Sequence, residues 1–317
     1  MRQFRKFLNP VFAVFFLLAA GAGQAATTKK VVKKKTTTTT TTTTTRRAPA
    51  RSTASPVAAA RTTSYHRAPP GGPLQGPTLG GPTGLFFADT AQVSPPHSGY
   101  WGAGFLYGSF DHVDQMTIPF FVNHGVAENL ELSASLPFIS EHFDVPDGLD
   151  LKKDESGLGN LTFGGKYKIP NLPSDMPDFA IGADLGFGPL SSDLGGNGVD
   201  IHVKGAATYM LPQGLLVNGG LGILHTGSRD VKVAGITVTT DGDTSVQLNG
   251  GLEYPLTPEL SGIAELDINQ FGKNDGVLAV GVRGGAALRF QALIGLGIGS
   301  NAPDFTLGGN IGIPFGA

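Results

Sequence analysis

The stretch 130-LELSASLPF-138 places an apolar side chain at every second position, with polar or small residues between them. Residues 260–269 (LSGIAELDIN) largely repeat this alternation. Successive side chains of a β-strand point to opposite faces, so each stretch predicts a strand with one apolar and one polar face. Soluble β-sandwiches and membrane β-barrels are both built from such strands. Other features of the sequence are needed to distinguish these two fold classes.

The first 26 residues have the composition of an export signal. Basic residues near the start precede an apolar run from Val11 to Ala20, and small residues surround Ala25. This order is typical of a cleaved signal peptide, and a retained anchor is the alternative. The run is shorter than the roughly 20 residues of a transmembrane helix. We therefore expect residues 1–26 to be removed, and any membrane-embedded part of the mature chain to be a β-barrel.

Glycine and cysteine usage narrow the class of protein further. Glycine accounts for 47 of the 317 residues, and cysteine is absent. The lack of cysteine excludes a disulfide scaffold, a thiolate metal site and lipid attachment at a cysteine. Glycine in strands marks bends and close approach of backbones, so its spread over many strands favours a curved, closed sheet.

Charge divides the mature chain into two parts. Residues 27–84 carry ten Lys or Arg and no acidic residue, whereas residues 85–317 carry ten Lys or Arg and all 25 Asp and Glu. The first part contains the run Thr36–Thr45 and has almost no apolar surface to bury, which predicts a disordered periplasmic tail. Three roles remain open for it: a solvated linker, contact with an anionic periplasmic polymer, or insertion into the barrel as a plug. Nucleic acid is not an expected partner of an exported chain.

Twelve strand candidates lie between Ser98 and Phe315, and most have about 9–13 residues, the length of a tilted membrane strand. The long connections 139–157, 189–198 and 227–243 all follow odd-numbered candidates, as external loops do when both termini are periplasmic. The short first connection and the long fourth one, 170–178, do not follow this rule. The sequence predicts an all-β transmembrane antiparallel barrel of about 12 strands over residues 85–317, surrounded by outer-membrane lipid. A soluble sandwich is the alternative.

The polar face of the predicted strands collects charges of both signs. They predict internal ion pairs and a narrow or partly filled pore, and each charge could serve structure or solute selectivity. The residues expected to line the lumen are Glu131, Lys166, Asp184, His202, Lys204, Glu253, Glu265, Asp267 and Arg283, together with the apolar Phe121 and Ile263.

No sequence pattern indicates catalysis or cofactor binding. The seven histidines lack the i, i+4 spacing of a helical zinc motif, and no Gly-x-Ser-x-Gly nucleophile elbow occurs. Glu265 and Asp267 share a strand face and could form an acid–base pair, but a polar lumen wall explains them better. We therefore predict that the protein is not an enzyme and has no catalytic residues, cofactor or metal.

Three stretches are similar to a known family. They are 124-HGVAENLEL-132 running on to 136-LPF-138, then 156-SGLGNLTFGGKY-167, and 302-APDFTL-307. Over roughly residues 85–317 the chain resembles the transporter family labelled "MetA-pathway of phenol degradation". The resemblance implies an outer-membrane barrel that admits small hydrophobic compounds. The basic tail departs from the family, and so does the ending 314-PFGA-317, because such barrels usually end on the aromatic residue itself.

These observations predict an outer-membrane channel for passive uptake of small, aromatic or hydrophobic molecules. Phe121 and Ile263 would supply an apolar pocket, and the charged lumen residues would set selectivity. The alternative function is structural: a sealed barrel that anchors the basic tail to an anionic periplasmic polymer.

Overall fold

A computed structural model of the protein describes residues 76–144, 153–173, 176–196, 198–270, 275–285 and 287–316. All of these residues belong to one compact unit. The expected signal peptide and residues 27–75 of the expected tail lie outside the described residues. Within the described ranges, no helix is long and apolar enough to cross a membrane.

The described residues form β-strands that alternate inward- and outward-facing side chains. In chain order they are β1 (Gly99–Phe110), β2 (Val113–Ala127), β3 (Leu130–Phe143), β4 (Asp154–Leu158), β5 (Leu161–Lys168), β6 (Asp178–Gly188), β7 (Gly198–Met210), β8 (Leu216–Thr226), β9 (Arg229–Val233), β10 (Ile236–Thr240), β11 (Asp243–Thr257), β12 (Leu260–Gln270), β13 (Asp275–Gly284), β14 (Arg289–Gly297) and β15 (Phe305–Phe315).

These strands close into one antiparallel barrel. The order around the ring is β1, β2, β3, the pair β4 and β5 sharing one position, and then β6, β7, β8, β11, β12, β13, β14 and β15. The ring closes where β15 pairs with β1, from Gly99↔Phe315 to Ser109↔Phe305. β4 and β5 lie end to end beside β3 and together make one strand of the wall. The sequence predicts a strand at 158–169 after a connection at 139–157, so β4 and the end of β3 lie in the predicted connection. The predicted barrel of about 12 strands is confirmed.

Apolar side chains cover the outside of the barrel. Ile181, Val203 and Val280 are 58%, 57% and 54% exposed, which fits a wall in contact with lipid rather than water. The exposed aromatic rings of Tyr167 and Tyr254 lie near one rim, where barrels carry an aromatic girdle. The apolar positions of the alternating sequence pattern therefore lie on the outer, lipid-facing surface of the barrel.

The two rims of the barrel differ. Gly99 and Phe315 lie at one rim, together with short turns at 128–129 and 258–259, and we call this rim the turn end. The opposite rim, the loop end, carries the long connections 144–153, 189–197 and 227–242. The connection between β1 and β2 is short and 169–177 is a long connection at the turn end, as the sequence indicates.

β9 and β10 form a separate two-stranded hairpin in the connection between β8 and β11. The hairpin folds towards β4 and the connection 189–197. The Gly235 N–H donates to a carboxylate oxygen of Glu155 at 2.6 Å, and Arg229 pairs with Asp200. The hairpin is therefore fixed to the loop end.

Residues 76–98, which we call the inner segment, run through the inside of the barrel before β1 begins. Leu85 and Phe86 are 0% exposed, and Phe86 packs in a cluster with Val277 and Leu293. The sequence predicts a tail up to residue 84, whereas the structure places 76–84 inside the barrel. The composition of 76–84 suggests disorder because this stretch is poor in apolar residues. Its order comes instead from polar side chains of the wall, which form hydrogen bonds with its backbone N–H and C=O groups.

Candidate functional site: the lumen and the segment inside it

Two buried carboxylates hold the inner segment by its backbone. Glu265, on β12, accepts hydrogen bonds from the N–H groups of Phe86, Phe87 and Ala88 at 3.0, 2.8 and 3.0 Å. The Glu265 side chain is 1% exposed, so these three charge-assisted bonds replace its hydration. The carboxylate thus serves as an anchor for three consecutive residues of the segment.

Glu131, on β3, makes the second anchor. It accepts hydrogen bonds from the N–H of Thr83 at 2.8 Å, from the Thr83 hydroxyl at 2.5 Å and from the N–H of Ser94 at 2.8 Å. Because Thr83 and Ser94 lie 11 residues apart, this carboxylate joins two separate parts of the segment. The phase of β3 predicts that Glu131 faces inward, but it does not predict this partner.

Cations of the wall bind carbonyl groups of the same segment. The Lys166 ammonium donates to the carbonyls of Thr83 at 2.5 Å and Thr90 at 3.2 Å, and it lies 3.7 Å from Glu131. Arg283 donates to the Gly84 carbonyl and to Glu253, both at 3.2 Å. The mixed charges of the lumen therefore hold the segment rather than pairing only with each other.

Neutral polar side chains that sequence reasoning missed complete this set of contacts. Asn123 donates to the Gly81 carbonyl at 2.9 Å, and Gln291 and Asn310 donate to the Pro77 carbonyl at 2.8 and 3.1 Å. Each lies in the inward phase of its strand, the same signal that identifies Glu131. Uncharged residues in that phase carry no sequence pattern of their own, so only the strand phase could have identified them.

A charged cluster forms where the segment meets β6 and β7. The Lys204 ammonium lies 2.6 Å from Asp89 of the segment and 2.7 Å from Asp184. His202 Nδ1 lies 3.3 Å from the same Asp184 carboxylate. The predicted lumen residues Asp184, His202 and Lys204 are thus brought together, and Asp89 ties the segment to them.

Glycines of the wall leave room for the side chains of the segment. A Cβ placed on Gly251 would lie 2.3 Å from a methyl carbon of Leu85, and one on Gly308 would lie 2.6 Å from the Phe86 ring. Both distances are shorter than Cβ atoms tolerate. Part of the glycine content therefore fits the wall to the segment, in addition to curving the sheet.

The two apolar lumen residues of the sequence analysis are buried in different places. Ile263, 5% exposed, packs under Leu85 and Ala88 of the inner segment. Phe121, also 5% exposed, lies beside Gly81. Both contact the segment, so the segment occupies the places where an apolar solute pocket is expected.

Two joined cavities remain on the loop-end side of the segment. The outer cavity, of about 510 Å³, opens towards the loops and is lined by Leu79, Pro119, Pro137, Ile139, Leu194 and Val231 among others. The central cavity, of about 320 Å³, is polar and includes Asp184, Lys204 and Asp267 in its wall. Leu79, Gly80, Ser135 and Thr162 line both. The inner segment forms the floor of this space.

The residues that the structure describes hold no group of three or more His, Cys, Asp or Glu arranged to bind a metal ion.

Two solved structures illustrate what the described barrel is similar to. The COG4313 outer membrane channel from Pseudomonas putida F1 matches 71% of this chain and 98% of its own at 16% identity, with a TM-score of 0.53. The translocator domain of the autotransporter NalP from Neisseria meningitidis matches 71% of this chain and 89% of its own at 14% identity, with a TM-score of 0.44. No curated protein sequence matches the chain.

A family match covers residues 85–315, which include all the strands of the barrel wall and residues 85–98 of the inner segment. The match extends over most of the chain and agrees with the motifs in β3, β4–β5 and β15. The protein therefore belongs to the family described as "Putative MetA-pathway of phenol degradation", and it is a membrane barrel of the outer-membrane type.

Proposed function

We propose that this protein is an outer-membrane channel for passive uptake of small, aromatic or hydrophobic molecules. The observation that carries the proposal is the outer cavity, which opens at the loop end. Aliphatic and proline side chains form much of its lining, and Glu141 and Arg229 are among the polar residues that complete it. An apolar cavity of about 150 Å³ already holds benzene, so about 510 Å³ is ample for a substituted aromatic. The family description, which refers to phenol degradation, supports an aromatic solute.

The proposal assigns the loop end to the cell exterior and the turn end to the periplasm, since short turns are periplasmic in such barrels. Export would use the signal peptide at residues 1–26. The inner segment closes the straight path to the periplasm, because carboxylates, cations and amides of the wall bind it along its whole length. Passage along the barrel axis therefore requires this segment to move.

The test uses cells that carry the protein in an outer membrane otherwise closed to hydrophobic compounds. Phenylnaphthylamine, an aromatic dye that fluoresces in hydrocarbon, should enter these cells faster than cells with an empty vector. The refolded chain in planar bilayers should also pass ions when the inner segment is loosened. The proposal is wrong if the protein promotes neither dye entry nor ion conductance.

The occupied lumen also favours a second function, a sealed barrel that anchors the basic tail to an anionic periplasmic polymer. Residues 27–84 carry ten cations and no acidic residue, and residue 76 begins the inner segment near the turn end, beside Arg283. Deleting residues 27–75 leaves the inner segment in place and distinguishes the two functions. The channel predicts unchanged dye entry, whereas the anchor predicts loss of binding to acidic peptidoglycan.

A further inference from the structure

A third cavity, which we call the side pocket, lies towards the loop end, inside the part of the wall that runs from β12 through β15 to β2. Its volume is about 220 Å³, and it joins the central cavity, because Phe87, Asp267 and Asn269 line both. The apolar part of its lining is formed by Phe87, Leu106, Phe110, Val277 and Pro303. Since an apolar cavity of about 150 Å³ already holds benzene, the side pocket has room for one substituted aromatic ring.

Two carboxylates of the side pocket lack a counter-ion. Elsewhere in the lumen, Glu265 binds backbone N–H groups and Asp184 pairs with Lys204. Asp267 and Asp275 both line the side pocket, and neither forms an ion pair with a cation among the residues that the structure describes. Asp267 also lies close enough to Asp275 to be repelled by it. Two such charges in a low-dielectric interior cost free energy, and a bound cation would lower this cost.

A β-bulge places an amide beside both carboxylates. The β12–β13 ladder is regular as far as Ile268↔Gly276 and resumes at Gln270↔Asp275, so Asn269 is the extra residue. Bulges redirect side chains, and the Asn269 side chain lies within hydrogen-bonding reach of Asp267 and of Asp275. An amide can donate to the two carboxylates, but it has no charge to neutralise them.

A buried hydroxyl of the same pocket also has no partner. Thr306 of β15 lines the side pocket and is 3% exposed. Its hydroxyl oxygen forms no hydrogen bond with any residue that the structure describes. Native proteins satisfy most buried polar groups, because an unsatisfied one costs free energy. A ligand that donates a hydrogen bond would satisfy this hydroxyl oxygen.

We propose that the side pocket binds a small aromatic ammonium ion of the benzylammonium type. An ammonium group has three N–H donors, and the pocket offers it three acceptors in Asp267, Asp275 and Thr306. The aromatic ring of the ligand would pack against Phe87 and Phe110, which also line the pocket.

A metal ion fits the side pocket less well than an organic cation. Apolar side chains form much of the lining, and the described residues hold no group of three or more metal ligands. The inference goes beyond the proposed function, because it assigns a charged class of ligand and requires binding rather than passage through the barrel.

Isothermal titration of the refolded full chain in detergent micelles, at low ionic strength and neutral pH, tests the proposal. Benzylammonium should bind saturably at one site. Benzyl alcohol and benzoate, which have the same ring but no positive charge, should not saturate the protein in the same concentration range. Asp275→Asn should weaken benzylammonium binding by about 10- to 150-fold, the effect of losing a hydrogen bond to a charged group.

Two further variants separate binding from structure. Asp111→Asn removes an exposed carboxylate at the same rim that does not line the side pocket, so it should bind benzylammonium like the unmodified protein. Thr306→Val should weaken binding by about 2- to 10-fold, the effect of losing a neutral hydrogen bond. It should not lower the melting temperature, because the hydroxyl makes no hydrogen bond within the protein. Heat-modified migration on gels checks that each variant folds.

Three results would overturn the proposal. The first is equal affinity for benzyl alcohol and benzylammonium, since the pocket then does not recognise the charge. The second is unchanged benzylammonium binding by Asp275→Asn or by Thr306→Val. The third is displacement of benzylammonium by an equal concentration of calcium chloride, which would identify a site for an inorganic cation.

Discussion

Replacing Glu265 by glutamine should release part of the inner segment. The carboxylate accepts three N–H groups, two of them at Oε2. A glutamine oxygen can keep those two as weaker neutral bonds, but its NH₂ group then faces the Phe86 N–H. Hydrogen bonds to charged groups contribute about 1.5–3 kcal/mol each and are roughly twice as strong as neutral ones. Because a neutral amide costs less to bury than a carboxylate, part of this loss is offset. We expect the free energy that holds the inner segment to the wall to fall by about 2–3 kcal/mol.

That loss corresponds to a shift of about 30- to 150-fold towards the released segment. Planar-bilayer recordings should show a rise in open probability of this order for Glu265→Gln. The control is Asp267→Asn, which makes the same carboxyl-to-amide change on the same face of β12 at a residue of the central cavity wall. The reasoning is refuted if Glu265→Gln conducts like the unmodified protein, or if Asp267→Asn opens the barrel equally.

Three further predictions concern the wall. Gly251→Val, whose Cβ would lie 2.3 Å from a methyl carbon of the inner segment, should raise conductance, while the neighbouring outward-facing Gly250→Val should not. Val280→Arg, in the middle of the lipid face, should lower the free energy of unfolding in vesicles by about 2–4 kcal/mol, as measured by urea titration. Leu256→Arg, near the rim, should lower the same free energy by only about 0–1 kcal/mol. Asp200→Ala should free the β9–β10 hairpin from β7 and hasten its cleavage by protease, without changing the melting temperature of the barrel.

Alternation predicts much of the wall. The alternation in β3 and β12 is enough to separate lipid-facing residues from inward-facing ones, because each residue of a strand faces either one side of the sheet or the other. It also predicts the burial side of Glu131 and Glu265. It does not predict that both bind backbone N–H groups, because any segment of chain can supply such a partner and none has a sequence signature.

The inner segment shows why composition misleads here. Residues 76–84 lack the apolar side chains that usually compensate for ordering entropy, so they resemble the tail before them. Their order comes from Lys166, Asn123 and Gln291, which are distant in sequence. The separation of β4 from β5 at Gly159 was not predicted for a related reason. Backbone hydrogen bonds of residues 158–159 to Pro137 of β3 and to residues 190–191 cause the break, and these partners are distant in sequence.

The contacts of Pro77 also constrain how the chain folds. Its carbonyl joins Gln291 and Asn310 across 214 and 233 residues of sequence. Contacts of such separation form late, because the entropy of closing a loop of more than 200 residues must be lost first. The beginning of the inner segment can thus be bound only when β14 and β15 are in place, so the last strands to be synthesised complete the binding of a segment that precedes every strand of the wall.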